Sequence, residues 1–274
     1  MTHQKFRLIV VGDEILSGKR QDKHMSKLIE LLSERSLSLS HVEYVGDDRE
    51  AITHVLKRSF STGDIVFSTG GIGATPDDHT RQCAAAALGL HLALHPKAKQ
   101  LIADRIHVMA EGDPVKADLN SRDNLQRMKM GEFPEGSEII PNPYNQIPGF
   151  RIKEHHFLPG FPVMAAPMME WVLDHHYSHL CHQQDFVERS FIIPLGLEAS
   201  LTPLMESIEN GHPGIKVFSL PSVGDPSRGG IFARRHIELG VKGAFADVTK
   251  VYPLLRQAVQ DLGLETHDLP INGA

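Results

Sequence analysis

Ser68-Thr-Gly-Gly-Ile-Gly-Ala-Thr-Pro-Asp-Asp-His-Thr80 is the stretch of this sequence that decides the fold. It follows the apolar run 65–67, which predicts a buried strand, and it precedes the alanine-rich segment 81–88, which predicts a helix. A glycine-rich turn between a strand and a helix presents backbone N–H groups and the positive end of a helix dipole. The stretch therefore predicts a site for an anion such as phosphate.

Two adjacent carboxylates, Asp77 and Asp78, lie within this stretch. Carboxylates can hold a divalent cation that bridges to phosphate oxygens. The alternative is that one of them caps the following helix, with Pro76 setting the turn. The stretch is not a P-loop, because no Gly-Lys-Ser/Thr follows, and Pro76 stands where a dinucleotide fingerprint needs its third glycine.

The composition is that of an ordinary globular protein, with 274 residues, 41% hydrophobic and 23% charged. A net charge of −6 argues against nucleic-acid binding. Cys83 and Cys181 are the only cysteines, so no disulfide framework is indicated. The start is polar and no long apolar run follows, so we expect a cytoplasmic protein with no membrane span.

Strand and helix patterns alternate along the first part of the chain. Predicted strands cover 6–11, 39–45 and 64–67, and predicted helices cover 22–35, 49–60 and 81–88. This alternation predicts a parallel sheet with helices on both faces, in which ligands bind beyond the carboxyl ends of the strands. Gly12-Asp13-Glu14 follows the first strand and Thr69-Gly70-Gly71 follows the third, so we expect both loops at one edge.

The remaining patterns complete this domain and predict a second one. A weak helical pattern covers 96–130, strands are predicted at 138–140, 150–153 and 155–158, and a helix at 161–180. Further strands are predicted at 186–193, 215–220 and 231–239, and further helices around 201–208 and at 246–262. We therefore expect an α/β domain over residues 1–183 and a small α+β domain over residues 184–274.

Four motifs resemble a known family. They are Gly12-Asp-Glu-Ile-Leu-Ser-Gly18, the Ser68–Thr80 stretch, Asn142-Pro…Pro148-Gly-Phe150 and Leu158-Pro-Gly-Phe-Pro162. In this order they resemble the CinA-type branch of the molybdopterin-binding (MoaB/Mog-like) family over residues 5 to about 178. The resemblance implies a three-layer α/β domain that forms homo-oligomers, followed by a small KH-like α+β domain. The amidase domain that ends longer CinA proteins has no counterpart in this sequence.

The resemblance also implies two alternative functions. Related domains either bind molybdopterin, or hydrolyse the pyrophosphate of ADP-ribose or FAD with a divalent metal of the Mg, Mn or Co type. It assigns catalysis to Asp77, Asp78 and Glu14, and metal binding to Asp13, Glu14, Asp77 and Asp78. It assigns ligand or phosphate binding to Gly12, Gly18, Thr69, Gly70, Gly71, Gly73, Thr80, Pro148, Gly149, Pro159 and Gly160.

Departures from the family pattern leave the substrate open. Relatives carry Asp-Thr-Asn where this chain has Asp22-Lys23-His24, and Gly-Pro-Thr where it has Gly73-Ala74-Thr75. Asp22 is either a helix N-cap or a ligand, and Glu14 is either a solvated loop carboxylate or a catalytic one.

Two other motifs allow functional interpretations. The histidine-rich tract 175–182 is either a zinc site or an exposed polar helix end, and the second is favoured because no third and fourth ligands are evident. Gly211-His-Pro-Gly214 matches the G-x-x-G loop of KH domains but lacks a basic residue, so a helix-terminating turn is favoured.

Overall fold

The structure is a computed structural model that describes residues 5–182 and 186–269, except for the side chain of Phe186. The chain divides into two compact units, with the boundary between Cys181 and His182. Gln183 and Gln184, where the sequence predicts the domain boundary, lie outside the described residues.

Within its described residues, the first unit contains eight strands and eight α-helices. The strands are β1 (Phe6–Val11), β2 (Leu39–Val45), β3 (Ile65–Thr69), β4 (Leu92–Leu94), β5 (Glu132–Pro134), β6 (Glu138–Ile140), β7 (Gly149–Ile152) and β8 (His155–Leu158). The helices are α1 (Asp13–Leu16), α2 (His24–Ser33), α3 (Arg49–Phe60), α4 (Thr80–Leu88), α5 (Pro96–Ala110), α6 (Pro114–Ala117), α7 (Arg122–Met128) and α8 (Pro162–His176).

The main sheet has six strands in the order β2-β1-β3-β8-β7-β6. β2, β1, β3 and β8 pair in parallel, as predicted, whereas β7 is antiparallel to both of its neighbours. The sheet is therefore mainly parallel, with an antiparallel edge formed by β7 and β6. Only Lys153 and Glu154 join β7 to β8, and a two-residue connection permits a hairpin but not a parallel crossover.

Helices cover both faces of this sheet and form the predicted three layers. Along β1, Leu8 belongs to the core formed with α2 and α8, which includes Leu28 and Met168. The next residue, Ile9, belongs to the opposite core with α3, which includes Leu56. Because successive side chains of a strand point to opposite faces, apolar residues at consecutive positions bury both faces of the sheet.

Several predicted helices have different ends. The helix predicted at 22–35 spans His24–Ser33, and the one predicted at 161–180 ends at His176 and is followed by a 3-10 helix at Ser178–Leu180. The weak pattern at 96–130 divides into α5, α6 and α7. The capping side chains of Asp113 and Ser121 begin α6 and α7, which explains the division.

The second unit is the predicted α+β domain. Its described elements are β9 (Phe186–Pro194), α9 (Glu198–Gly211), β10 (Lys216–Ser222), β11 (His236–Ala244), α10 (Phe245–Asp261) and β12 (His267–Asp268). The strands form an antiparallel sheet in the order β10-β11-β9-β12.

One strand of this unit was predicted with the wrong bounds. The strand predicted at 231–239 begins only at His236, because residues 230–233 form a 3-10 helix. Gly229 and Gly230, at the start of that helix, have φ values of 64° and 55°, which interrupt the extended backbone.

None of the helices in the described ranges has the length and apolar character that a bilayer span requires.

Candidate active site at the carboxyl edge of the sheet

The turns that follow β1, β3 and β8 meet at the carboxyl edge of the main sheet. β1 and β3 are paired neighbours, with Val10 opposite Thr69. Gly70 has a φ of 97°, and a Cβ built there would lie 2.1 Å from the carbonyl oxygen of Val11. A Cβ on Gly160, which follows β8, would lie 3.3 Å from the Cα of Gly70. The backbones therefore approach as closely as glycine allows, and the predicted convergence of the first two loops is confirmed.

Thr80 closes the glycine-rich loop from within. Its backbone N–H donates to the carbonyl of Gly71 at 3.0 Å, and its hydroxyl donates to the carbonyl of Gly70 at 3.0 Å. Gly71 has a φ of 68°, and a Cβ there would lie 2.2 Å from the Thr80 hydroxyl oxygen. Thr80 is fully buried, so its hydroxyl holds the loop in shape.

Asp78 forms a turn inside the same loop. Its carboxylate accepts the backbone N–H of Thr75 at 2.8 Å and the Thr75 hydroxyl at 2.5 Å. A Cβ on Gly73 would lie 2.5 Å from the same carboxylate oxygen. Helix α4 begins after His79 with no side-chain cap. The alternative prediction that Asp77 or Asp78 caps α4 was therefore wrong, and Asp78 stabilises the turn before the helix.

Two side chains outside the loop fix its outer part, and sequence reasoning missed both. Arg81 is 3% exposed, and its guanidinium donates to the carbonyl of Gly73 at 2.6 Å and to the carbonyl of Lys129. Burial lowers the pKa of Arg81. Gln126 on α7 donates to the carbonyl of Ala74 at 2.7 Å. An arginine in an otherwise alanine-rich apolar segment is the sequence signal that could have indicated this buried contact.

Asp47 brings a third carboxylate-bearing loop to the edge. Its backbone N–H donates to Asp13 Oδ1 at 3.2 Å, and its Oδ2 accepts the backbone N–H of Asp13 at 2.9 Å. Burial raises the pKa of Asp47, and the negative charges of Asp13, Glu14 and Asp77 raise it further. The carboxylates of Asp13, Glu14 and Asp77 therefore lie close enough to Asp47 to influence its ionisation. We call these four residues the carboxylate cluster.

Sequence reasoning missed Asp47, although a signal was present. Gly46-Asp47 follows the second predicted strand just as Gly12-Asp13 follows the first. β1 and β2 pair in parallel with Val11 opposite Val45, so both dipeptides leave the sheet at the same edge. The equivalence depends on which strands are neighbours, and that information is not local in the sequence.

Glu14 and Asp77 present the least constrained carboxylates of the cluster. A Cβ on Gly12, whose φ is 155°, would lie 2.6 Å from Glu14 Oε2, so this carboxylate folds back over the end of β1. Asp77 is exposed, and a hydrogen bond from the Thr75 side chain lowers its pKa, so it is ionised at neutral pH.

The carboxylate cluster is not a complete cage for a metal ion. In residues 5–182 and 186–269, no three or more His, Cys, Asp or Glu side chains are arranged to hold a metal. Magnesium-type cations usually bind through one or two carboxylates, with phosphate and water oxygens as the other ligands. The cluster alone therefore does not form a metal site, and a bound cation would need further oxygen ligands from phosphate or water.

The remaining predicted ligand residues lie in different environments. A Cβ on Gly149, which follows Pro148, would lie 2.4 Å from the carbonyl of Phe157, so Gly149 allows β7 to pack against β8. Gly18 has a φ of 72° and open space around it, in the turn after α1. Gly160, after Pro159, lies against Gly70 at the carboxyl edge. The Thr69 hydroxyl at the end of β3 is buried without a hydrogen-bond partner in the described part of the chain.

Asp22 stabilises the start of α2, although the N-cap position belongs to Lys23, which has no side-chain cap. Its carboxylate accepts the backbone N–H groups of His24 at 2.8 Å and Met25 at 3.1 Å, and the hydroxyl of Tyr44 at 2.9 Å. These hydrogen bonds keep the pKa of Asp22 below its usual value, although burial acts against them.

The two other motifs have structural roles. His175 is exposed in the last turn of α8 and stacks on Trp171, with 4.4 Å between the ring centroids. The Gly211–Gly214 stretch is the turn between α9 and β10, and Gly214 has a φ of 95°. The structure thus agrees with the favoured interpretation of each motif.

Comparison with known proteins supports the resemblance seen in the motifs. A family model described as "Probable molybdopterin binding domain" matches residues 7–179. The chain belongs to this family. A CinA-like protein of Anaeromyxobacter dehalogenans (strain 2CP-C) is 31% identical over 173 residues, which is 61% of this chain and 40% of that protein. A protein of Alkaliphilus metalliredigens (strain QYMF) described as competence-damage inducible is 31% identical over 215 residues, 76% of this chain and 49% of that protein.

A solved structure shares the fold of the first part of the chain. The crystal structure of the protein CinA with unknown function from Thermoplasma acidophilum aligns with a TM-score of 0.53 and 23% identity. The alignment covers 62% of this chain and 98% of the CinA chain. By contrast, the chain spans less than half of the length of either sequence relative.

Proposed function

We propose that the first unit binds and hydrolyses a nucleotide pyrophosphate such as ADP-ribose or FAD. The observation that carries the proposal is the convergence of the carboxylate cluster with the glycine-rich loop at one sheet edge. Burial and the neighbouring negative charges raise the pKa of Asp47, and such perturbed groups concentrate at functional sites. A loop built only to connect β3 to α4 would not require this arrangement.

Binding of the pyrophosphate is assigned to the loop that follows β3. The positive end of the α4 dipole and the turn from Gly70 to Gly73 attract phosphate oxygens. Asp78 and Arg81 keep this loop rigid, so little conformational entropy is lost when the ligand binds.

Hydrolysis requires a water molecule activated beside the phosphorus atom. Asp47 is the general base in this proposal, because its raised pKa makes its carboxylate the better proton acceptor. The water oxygen bonds to phosphorus, the bridging P–O bond breaks, and ADP-ribose yields AMP and ribose 5-phosphate. Glu14 and Asp77 would hold a divalent cation, which when bound neutralises charge that develops on the phosphate oxygens.

The test is a panel of nucleotides followed by ³¹P NMR. The pure full chain is incubated with ADP-ribose or FAD and diamagnetic Mg²⁺, and parallel samples contain EDTA. We expect the pyrophosphate signals to be replaced by phosphomonoester signals with Mg²⁺ only. Loss of product formation in Asp47→Asn and Asp77→Asn would assign the activity to this site. If ADP-ribose and FAD stay intact even when the protein is present at the same concentration as the nucleotide, the proposal is contradicted.

Binding of molybdopterin or a related phosphorylated pterin without turnover is the second candidate. The description of the matching family model as a molybdopterin-binding domain favours it. It needs the same glycine-rich loop but no convergent carboxylates. Tight pterin binding by a protein that leaves every pyrophosphate intact would replace the first candidate with this one.

The homo-oligomer implied by the family resemblance stays a prediction, which light scattering on the pure protein tests.

A further inference from the structure

A cavity of the first unit lies between α5, the end of α7 and the loop that joins β6 to β7. Its volume is about 330 Å³, within the range of about 300–1,000 Å³ that small-molecule sites occupy. Three methionines, three isoleucines and one tyrosine line it, together with Arg105, Arg127 and Asn145. We call this cavity the α5–α7 cleft.

Two hydrogen bonds connect the walls of the α5–α7 cleft to the glycine-rich loop. Gln126 donates to the carbonyl of Ala74 at 2.7 Å, and the next residue along α7 lines the cleft. Arg81 donates to the carbonyl of Lys129, and the residue that follows Lys129 also lines the cleft. The cleft therefore borders the loop to which we assign phosphate binding.

The apolar walls of the cleft are suited to a planar ring. Met130 and Met164 are half-buried there, and Tyr144 is 60% exposed. Thioether groups make favourable contacts with aromatic rings, and a tyrosine ring stacks on another ring with an offset. A phosphate group would lose its hydration against such walls, so the cleft favours a ring rather than an anion.

Hydrogen bonds within the loop hold Tyr144 in place. Asn142 Oδ1 accepts the backbone N–H of Tyr144 at 3.0 Å. Asn142 Nδ2 donates to Asn145 Oδ1 at 2.8 Å and to the carbonyl of Ile147 at 3.0 Å. Because the backbone that carries Tyr144 is already ordered, little conformational entropy is lost when a ring stacks on it.

The polar groups of the cleft are hydrogen-bond donors with few strong acceptors. Arg105 and Arg127 are half-buried, and neither forms an ion pair within residues 5–182 and 186–269. Asn145 Nδ2 lies 3.6 Å from the sulfur of Met164, and a thioether is only a weak acceptor. Ring nitrogen and carbonyl oxygen atoms can accept from such donors, and a guanidinium group also stacks on aromatic faces. A hydrocarbon ligand would leave these donors unpaired.

We propose that the α5–α7 cleft binds a planar heteroaromatic ring, the purine or pterin of a ligand whose phosphates bind at the glycine-rich loop. Tyr144 stacks on the ring, and Arg105 and Asn145 donate to its nitrogen or oxygen atoms. In the proposed function the cleft recognises the base of the nucleotide. Only this assignment of the ring to a pyrophosphate substrate rests on that function.

The experiment follows the methyl resonances of ¹³C-labelled methionines while AMP is added to the full chain in EDTA. The signals of Met130 and Met164 are assigned by their absence from the spectra of Met130→Leu and Met164→Leu. We expect the ring current of AMP to shift both signals and to leave the signal of Met205 on α9 unmoved. Ribose 5-phosphate, which lacks the ring, should produce no such shift.

Substitutions at the rim test the contacts. Tyr144→Ala should weaken AMP binding about tenfold, the order expected for loss of one stacking partner, and Tyr144→Phe should restore it. Arg105→Gln should also weaken AMP binding. Lys99→Gln is the matched control, because it removes an equal charge from an exposed position of α5 outside the cleft and should leave binding unchanged.

A second titration with neopterin distinguishes the two kinds of ring. A shift with AMP assigns the cleft to a purine, and a shift with neopterin only assigns it to a pterin. Unmoved Met130 and Met164 signals with both compounds overturn the proposal. Equal affinity of the wild type and Tyr144→Ala for the compound that binds, or equal weakening by Arg105→Gln and Lys99→Gln, also overturns it.

The same measurements separate this proposal from the proposed function. Binding is observed at equilibrium in EDTA and needs no turnover. A protein that hydrolyses ADP-ribose but shows unmoved Met130 and Met164 signals keeps the proposed function and refutes the ring site. A protein whose cleft binds AMP but which hydrolyses no pyrophosphate refutes the proposed function and keeps the ring site.

Discussion

In the first unit, charged side chains are arranged differently at the two ends of the parallel strands. At the carboxyl ends, Asp13, Glu14, Asp47 and Asp77 gather like charges, which raise the pKa of Asp47. No basic side chain is among the causes that shift this pKa. A folded protein gains no stability from an arrangement of this kind, because like charges repel at short range.

At the amino ends, two carboxylates, Asp64 and Glu154, have cationic partners. Arg7 Nε donates to Asp64 Oδ2 at 2.5 Å, and Asp64 precedes β3. Glu154, which precedes β8, accepts hydrogen bonds from Arg151 at 3.1 Å and from the hydroxyl of the buried Tyr177 at 2.5 Å. Hydrogen bonding and the charge of Arg7 keep the pKa of Asp64 below its usual value, against the effect of burial.

From this difference we infer that the paired side chains at the amino ends stabilise the fold, and that the carboxylates at the carboxyl ends bind a ligand. Ion pairs and hydrogen bonds at the amino ends fix the strands and the residue that follows α8. Unpaired carboxylates at the carboxyl ends cost stability, and proteins retain such features where function needs them. Removal of a carboxylate of the cluster should therefore lower activity more than stability, and removal of a hydrogen-bonding side chain at the amino ends should do the reverse.

The largest expected effect is on turnover, from Asp77→Asn. Its carboxylate is exposed, so the substitution removes a charge from the cluster without opening the core. We expect the rate of pyrophosphate hydrolysis to fall about 10³-fold, within the range for lost acid–base or metal ligands, and Tm to change by less than about 2 °C. Steady-state kinetics and calorimetry on the same preparation measure both quantities.

Asp78→Asn is the contrasting variant. Asp78 accepts two hydrogen bonds from Thr75, so its replacement should lower activity and Tm together. If Asp77→Asn behaved in the same way as Asp78→Asn, Asp77 would have a structural role and the division between the two carboxylates would be wrong.

The largest expected loss of stability comes from Gly70→Ala. Its φ of 97° is unfavourable for alanine, and the new Cβ would lie 2.1 Å from a backbone oxygen. We expect the free energy of unfolding to fall by about 3 kcal/mol or more, measured by urea denaturation. Gly63→Ala, with a φ of 71° but open space, is the control, and about 1 kcal/mol is expected there. If both variants lost the same free energy of unfolding, Gly70 would not lie in tight contact with the end of β1.

A smaller loss of stability is expected from Tyr177→Phe at the amino ends. The variant keeps the buried ring and removes the hydroxyl that donates to Glu154. We expect a loss of about 1.5 kcal/mol, which corresponds to a fall in Tm of about 3–6 °C, with turnover unchanged. A large fall in turnover with an unchanged Tm would show that this end also serves the ligand.

The sequence was sufficient for features that depend on local patterns. Gly70 and Gly71 follow an apolar strand and precede a helix, so their place at the carboxyl edge was predictable. The reversal of β7 and the role of Asp47 were not, because both depend on which strands become neighbours. Asp47 matters only because β2 pairs with β1 and brings it against Asp13.

Buried polar contacts also could not be predicted from the sequence. Arg81 lies in a helix that was predicted correctly, but its partners Gly73 and Lys129 are 8 and 48 residues away along the chain. Such contacts follow from tertiary packing, which local propensity does not determine.

The smallest expected effect is the most direct test of the central claim, that the carboxyl edge holds carboxylates together against their own repulsion. The folded state raises the pKa of Asp47 above the usual value of 3.8. The ionised form therefore destabilises the folded protein at neutral pH, and this penalty disappears as the pH falls below 3.8. Asn keeps an oxygen that can accept the N–H of Asp13.

The measurement is the Tm of wild type and Asp47→Asn between pH 7 and pH 3.5, with EDTA present. We predict that Asp47→Asn melts about 1–3 °C higher than wild type at pH 7, and that the difference shrinks toward zero as the pH approaches 3.5. Asp104→Asn, at an exposed position of α5, should show no such change. A lower Tm for Asp47→Asn at pH 7, or a difference independent of pH, would contradict the account.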